Sequence, residues 1–381
     1  MPTAHLLALL TLLGCSAEPP ATPAQLGSLL FADPNLSSPA GQACADCHLP
    51  RAAFRDPESS RSTSMGVIAG RFGSRQAPSV LYARYVPVLH RDPATQRWIG
   101  GLFWDGRAHT LEDQAAFPLL NPLEMNNPDK AAVVASVRAA SYASAFRASY
   151  GPHALDTVDD GFAHIVAALA AFERTAVFAP FSSRYDRYLA GEAALSEAEQ
   201  RGLAIFEDPA RGNCAACHPS RPGPDGAPPL FTDHGYANLG IPRYLNNKFL
   251  VQPRPWNPDG DRYIDHGLMT TTGDPAQDGK FRVPTLRNVA VTPPYGHNGY
   301  FDNLPYLLDF LASRDTGSAD VGTCSRADPR ARCAWPGPEV PATVERDRVG
   351  HLALSPAELA DLAAFLETLT DEPYATPRPA S

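Results

Sequence analysis

The sequence predicts an all-α fold of two related domains joined and covered by long ordered loops. Three observations predict it. No stretch sustains the apolar-polar alternation of a half-buried strand, whereas several segments space their apolar side chains as helices do. Two of these segments open on the same signal, Thr22-Pro23-Ala24-Gln25 and Ser196-Glu197-Ala198-Glu199, in which an N-cap hydroxyl and a side chain three residues on satisfy free N–H groups of the first turn. Each then carries the same residues at the same spacing, Gly27, Phe31, Asp33 and Pro34 in one and Gly202, Phe206, Asp208 and Pro209 in the other, followed by a Cys-x-x-Cys-His motif. Such repetition reads as an internal duplication.

The motifs give the duplicated unit its chemistry. Cys44-Ala45-Asp46-Cys47-His48 and Cys214-Ala215-Ala216-Cys217-His218 have the attachment signature of c-type haem, in which two thiols bond the porphyrin and the adjacent histidine takes the iron. One turn of backbone brings both sulfurs to neighbouring vinyl groups and leaves the imidazole facing the metal. Zinc is the competing reading, but its Cys-x-x-Cys knuckles pair roughly 15 to 20 residues apart and do not need the histidine. Two covalently bound haem c groups in two cytochrome c-like haem domains are therefore expected, held by Cys44, Cys47 and His48 and by Cys214, Cys217 and His218.

At 381 residues with 44% hydrophobic side chains, the chain is long enough for two domains. Its expected division is a leader over 1–15, an N-terminal haem domain over 16–190, a C-terminal haem domain over 191–345, and a last helix and tail over 346–381. A net charge of −9 with no concentrated basic stretch excludes a nucleic-acid partner. The 39 prolines fall mostly between helices and predict ordered loops over the cofactors. Of seven cysteines, four belong to the haem motifs, Cys15 to the leader, and Cys324 and Cys333 are spaced for one loop-closing disulfide, worth about 3 kcal/mol by loop entropy. Haem attachment and this pair both imply an oxidising compartment outside the cytoplasm.

Taken in order, Leu6 to Leu13 form an apolar run too short to span a bilayer, ending in Leu12-Leu13-Gly14-Cys15. That ending resembles a bacterial lipobox and implies acylation of Cys15, a plain secretory leader being the alternative; the membrane is then met only through the lipid anchor. Leu26, Leu29, Leu30 and Phe31 form the first helix. Pro128 to Tyr150 and Phe162 to Val177 carry helical periodicity, with Val133, Val134, Val137, Ile165, Val166, Leu169 and Phe172 as core. Leu203, Ile205 and Phe206 follow the second capping signal. Pro219 to Gly279, rich in Pro, Gly, Asp and Asn, predicts a long structured loop region over the second haem. Ser355-Pro356-Ala357-Glu358 caps a last helix with Leu359, Leu362, Phe365, Leu366 and Leu369 on one side.

Two further stretches carry a resemblance. Phe103-Trp104-Asp105-Gly106-Arg107, with Gln114, Pro118 and Asn121-Pro122-Leu123-Glu124-Met125, and Arg282-Val283-Pro284-Thr285-Leu286-Arg287-Asn288, running on to Thr292-Pro293-Pro294-Tyr295-Gly296-His297-Asn298-Gly299, resemble the bacterial di-haem cytochrome c peroxidase and MauG family. The resemblance implies a peroxidase or oxidase whose first haem meets hydrogen peroxide and whose second stores an oxidising equivalent. It implies Glu124 as the distal acid-base residue, Gln114 and Pro118 as its pocket, Trp104 between the haems and His297 beside the second. It also implies a calcium ion held at Gln76, Thr292 and Pro294, the family's side chain at the first of these usually being Asn. No histidine lies between His48 and His90, so the first iron resembles the open one of MauG, with Met65 the alternative ligand. Fourteen residues beyond His297, where the family places Met or Tyr on the second iron, stands Leu311; His266, Met269, Tyr306 and His351 are the other candidates.

The tail, with Phe310 to Asp315, Cys324, Cys333 and Trp335 to Val340, resembles the MbnH-type branch, which oxidises a tryptophan on a partner copper-binding protein. The implied partners are peroxide and a partner protein, or a small cytochrome or copper protein as donor, in the periplasm with a lipid anchor in the outer membrane. A non-catalytic electron carrier is the remaining alternative; it needs two haems but has no use for Glu124 beside an open iron.

Overall fold

A computed structural model describes residues 21–56, 58, 62–223, 226–323 and 333–375. Cys15 and the leader lie outside them, as does Cys324 and with it the expected disulfide.

The first unit begins with α1 (Pro23–Phe31), whose capping box forms as expected: Thr22 Oγ accepts from Gln25 N at 3.2 Å and the Gln25 carboxamide accepts from Thr22 N at 2.8 Å. One helical turn, α2 (Cys44–Cys47), carries the first motif. Then come α3 (Leu111–Leu120), α4 (Lys130–Ala139), α5 (Ala143–Tyr150) and α6 (Val158–Glu173). The single helical stretch expected from Pro128 to Tyr150 is two helices, because Ala140 leaves the helix in extended geometry. The break lets Tyr142 donate its hydroxyl to Asp33 at 2.5 Å. Leu26, Leu30, Val133, Val134, Val137, Phe146, Ile165 and Leu169 form this unit's core.

The second unit contains α7 (Arg184–Leu189), α8 (Glu197–Glu207), α9 (Leu268–Thr272), α10 (Leu304–Ser313) and α11 (Pro356–Glu367). Here α11, which the sequence set apart with the tail, supplies Leu359, Leu362, Phe365 and Leu366 to the second core beside Phe206, Phe231, Phe301 and Phe310. Strands are short and among the described residues pair two by two: β1 (His90–Arg91) with β2 (Trp98–Ile99), β3 (Tyr236–Ala237) with β4 (Phe281–Arg282), and β5 (Ser318–Thr323) with β6 (Cys333–Ala334). No helix among the described residues is long and apolar enough to cross a membrane.

The duplication is visible in how the helices cross. α1 packs on α6 and α8 on α11, each through the repeated glycine. A methyl group on Gly27 would lie 1.9 Å from Ala168 O and 2.7 Å from Phe172 Cβ; on Gly202 it would lie 2.0 Å from Asp361 O and 2.8 Å from Phe365 Cβ. Backbone-to-backbone approach this close is what only glycine permits.

The two units are pinned together by buried polar groups. Asp371, fully buried, accepts from Tyr82 Oη at 2.7 Å, Asn288 Nδ2 at 2.7 Å and Ser182 N at 2.9 Å. Beside it the Arg287 guanidinium forks onto Asp186 at 2.7 and 2.9 Å and covers the Phe181 ring at 4.5 Å. Asp186 and Asn288 lie in the second unit with Arg287, so the domains are joined by Tyr82 and Ser182 on Asp371 and by the face of the guanidinium on Phe181, which packs on the first core.

Candidate active site

Each attachment segment presents its histidine in the same way. In α2 Asp46 accepts from Ala43 N at 2.8 Å, holding the turn, and His48 N donates to Cys44 O at 2.9 Å. The chain then takes left-handed geometry at Ala53 and Phe54, which turns the Phe54 carbonyl onto His48 Nδ1 at 3.1 Å. In the second unit left-handed Phe231 turns its carbonyl onto His218 Nδ1 at 2.8 Å. A carbonyl on Nδ1 selects the tautomer with Nε2 free, as an iron ligand requires. Burial holds both imidazoles below their usual pKa. Nothing in the sequence marked Phe54 or Phe231, whose role is carried by a main-chain atom.

A cavity of about 460 Å³ opens beside Cys44, Cys47 and His48. Gln114 and Pro118, one turn apart on α3, line it together with Glu124 and Trp104. Thr110 and Asp113 cap α3 reciprocally, and Pro118 sits inside it, where it has no N–H to return to the Gln114 carbonyl. Glu124 is positioned by an Asx turn: Asn121 Oδ1 accepts from Leu123 N at 3.0 Å while Asn121 Nδ2 donates to Glu124 Oε1 at 2.8 Å. Burial raises the Glu124 carboxyl above the ordinary carboxylate range, opposed by the Arg107 guanidinium. His48 is the one histidine lining this cavity among the described residues, and Met65 does not line it.

The sequence reading missed Glu173, the last residue of α6, which lines the same cavity with Oε2 unpartnered and its carboxyl pushed up to about 8 by burial. The expected loop over the second haem is also corrected in part. Phe249 and Trp256 line the first cavity, with Asn247 Nδ2 donating to Ser74 O at 2.8 Å and Gln252 Nε2 to Gly70 O at 2.9 Å. Trp256 is covered by the Arg71 guanidinium at 4.1 Å.

A second cavity of about 240 Å³ lies against Cys217 and His218, while Cys214 packs on the second core. Its wall includes His297, stacked on Phe281 with ring centres 3.6 Å apart and 3.6 Å from the Glu339 carboxylate. Leu307 and Leu311 of α10 line it, whereas Tyr306, His266, Met269 and His351 do not. Tyr306 packs instead against Trp335, and His266 pairs with Asp278 at 2.7 Å. Gln76, Thr292 and Pro294 all lie on this wall. Six residues belong to both cavities: Gln76, Pro78, Ser79, Ala83, Trp104 and Arg282.

Residues 21–194 match the family model for di-haem cytochrome c peroxidase. The methylamine utilization protein MauG of Paracoccus denitrificans is 39% identical over 358 residues, 92% of this chain and 89% of that protein. The chain belongs to the di-haem cytochrome c peroxidase and MauG family. Among solved structures, the di-haem peroxidase BthA of Burkholderia thailandensis superposes with a TM-score of 0.78 at 34% identity, over 94% of this chain and 88% of that one. A MauG-like protein associated with microbial copper homeostasis does so with a TM-score of 0.65 at 33% identity, over 93% and 91%.

As a member of this family the protein is a haem-dependent oxidoreductase with two covalent haem c groups. Its residues fit them: each Cys-x-x-Cys-His segment faces a cavity and each histidine keeps Nε2 free. Zinc does not fit, since no three His, Cys, Asp or Glu side chains gather as a metal site among the described residues.

Proposed function

We propose that this protein uses hydrogen peroxide to oxidise its haem pair and then oxidises a side chain of a partner protein, in the manner of a MauG-type enzyme. The haems, when bound, supply the redox chemistry, peroxide taking two electrons and two protons to leave as two waters. The chain supplies the rest. Glu124 takes the proton from the peroxide oxygen nearer the iron and delivers it to the departing one, a task for which a carboxyl that burial makes more basic than usual is suited. Gln114 and Pro118 shape the space in which peroxide lies. Trp104 offers an oxidisable indole between the two cofactors, and His297 sits by the second.

The observation that carries this reading is an asymmetry: Glu124 lines the first cavity alone, His297 the second alone, and Trp104 both. An electron carrier has no use for that division. Added to the ferric protein without reductant, peroxide should change both haem spectra within seconds; an unchanged spectrum would leave the carrier reading. Oxidation of a small cytochrome or copper protein, measured beside oxidation of a candidate partner's tryptophan, separates the detoxifying peroxidase from the protein-modifying enzyme.

The remaining assignments belong to the same reading. Calcium takes the Gln76 side-chain oxygen and the carbonyls of Thr292 and Pro294, a hard-oxygen set. The enzyme works in the periplasm, held at the outer membrane through Cys15. Mass measurement of the mature protein tests both the acylation and the haem count.

A further inference from the structure

The wall between the cavities contains a cation that the chain does not neutralise. Arg282 ends β4 and lines both cavities. Its backbone N donates to Trp104 O at 2.9 Å and its Nε to Phe103 O at 3.1 Å. Neither acceptor is charged, and among the described residues Arg282 forms no ion pair. Neighbouring arginines differ: Arg75 bridges Asp105 and Asp265 at 2.7 Å each, Arg107 pairs with Asp105 at 2.9 Å, and Arg97 with Asp233 at 2.8 Å. A half-buried guanidinium facing a cavity normally has a carboxylate or phosphate to fork onto, because drawing it out of water alone is unfavourable. Close by on the second cavity's wall, His234 Nδ1 is also buried without a partner.

We propose that Arg282 is the shared counter-ion of the two cofactors, its guanidinium pairing with a propionate carboxylate of each haem. Peroxide is neutral and cannot fill this role, while each haem c brings two carboxylates into the cavity whose wall Arg282 forms. His234 supplies a further polar contact to the propionate of the second haem. Burial holds the Arg282 pKa below its usual value in the chain alone, as a cation lacking its anion should be. The arrangement makes one residue fix the Trp104 main chain and set the charge felt by both irons. A cation beside a haem favours the reduced iron, so Arg282 raises both reduction potentials together.

The test uses the protein with both haems attached. In Arg282→Gln, spectroelectrochemical titration should find both midpoint potentials lowered, and in Arg282→Lys, which restores charge without the fork, both should return most of the way. Lowering of one potential alone would overturn the sharing, and two unchanged potentials would overturn the pairing. If Arg282→Gln does not retain haem, Arg282→Lys decides: resonance Raman propionate bands of both haems should shift from those of the unmodified protein, and unshifted bands would refute the proposal. A merely structural arginine holding the Phe103 carbonyl would move neither readout in a charge-dependent way.

Discussion

The indole N–H of Trp104 donates to the Gln76 carbonyl at 2.9 Å, and both residues belong to the walls of both haem cavities. The ring is thus held at a fixed angle in the partition, where the proposed electron relay between the cofactors would use it. Trp104→Phe keeps the packing but removes the N–H and raises the cost of oxidising the ring. Peroxide should still react at the first haem, while the spectral change of the second slows or disappears in stopped-flow traces. Equal response of both haems in the variant would remove Trp104 from the route.

Glu124→Gln should slow peroxide activation by about 10²- to 10⁴-fold, the usual worth of positioned acid-base help, with both haems retained. The pH dependence follows from the raised carboxyl. Proton abstraction needs the carboxylate, so the rate in the unmodified enzyme should climb with pH through a window above the ordinary carboxylate range, and the variant should lose that limb. An unchanged rate would return Glu124 to a structural role.

Leucine has no lone pair for iron, and Leu311 lines the second cavity where Tyr306, His266, Met269 and His351 do not. The ferric protein should therefore show two high-spin haems by electron paramagnetic resonance, and Leu311→Tyr should convert one to low spin. A low-spin second haem in the unmodified protein would mean that another side chain reaches the metal.

Glu173 predicts a stability slope. Its carboxyl is pushed from 4.5 to about 8 in the folded chain, so the native state binds the proton more tightly than the unfolded one. Stability from this group is present below the unfolded value and is lost as pH rises through the folded value. In denaturant titrations the advantage of Glu173→Gln over the unmodified protein should grow between about pH 4.5 and about 8 and then level off. A pH-independent difference would show that the bound cofactor satisfies the carboxylate.

Removing Asp371 leaves the Tyr82 hydroxyl, the Asn288 amide and the Ser182 N–H without their acceptor at the domain junction. At about 1 to 3 kcal/mol for each buried polar group left unpaired, Asp371→Ala should cost at least about 3 kcal/mol. The denaturation midpoint should fall accordingly, and a shift below about 1 kcal/mol would mean that water replaces the carboxylate.

Whatever depends on neighbours in the chain was legible in the sequence. A capping box spans four residues and a haem attachment motif five, so Thr22 with Gln25, Ser196 with Glu199, Ser355 with Glu358 and both Cys-x-x-Cys-His segments could be read before any fold was known. Helical periodicity likewise placed Val133, Val137, Ile165 and Leu169 in a core. The resemblance of two short stretches nominated Glu124, Trp104 and His297, but not the walls on which they stand. Tertiary structure alone decided that Trp104 and Arg282 share a partition, that Phe249 and Trp256 cross from the second half of the chain to the first cavity, and that the carbonyls of Phe54 and Phe231 orient the histidines. Loops have no period to betray where they go. Main-chain acceptors have no residue type, and a carboxyl such as Glu173 becomes unusual only when packing removes its water.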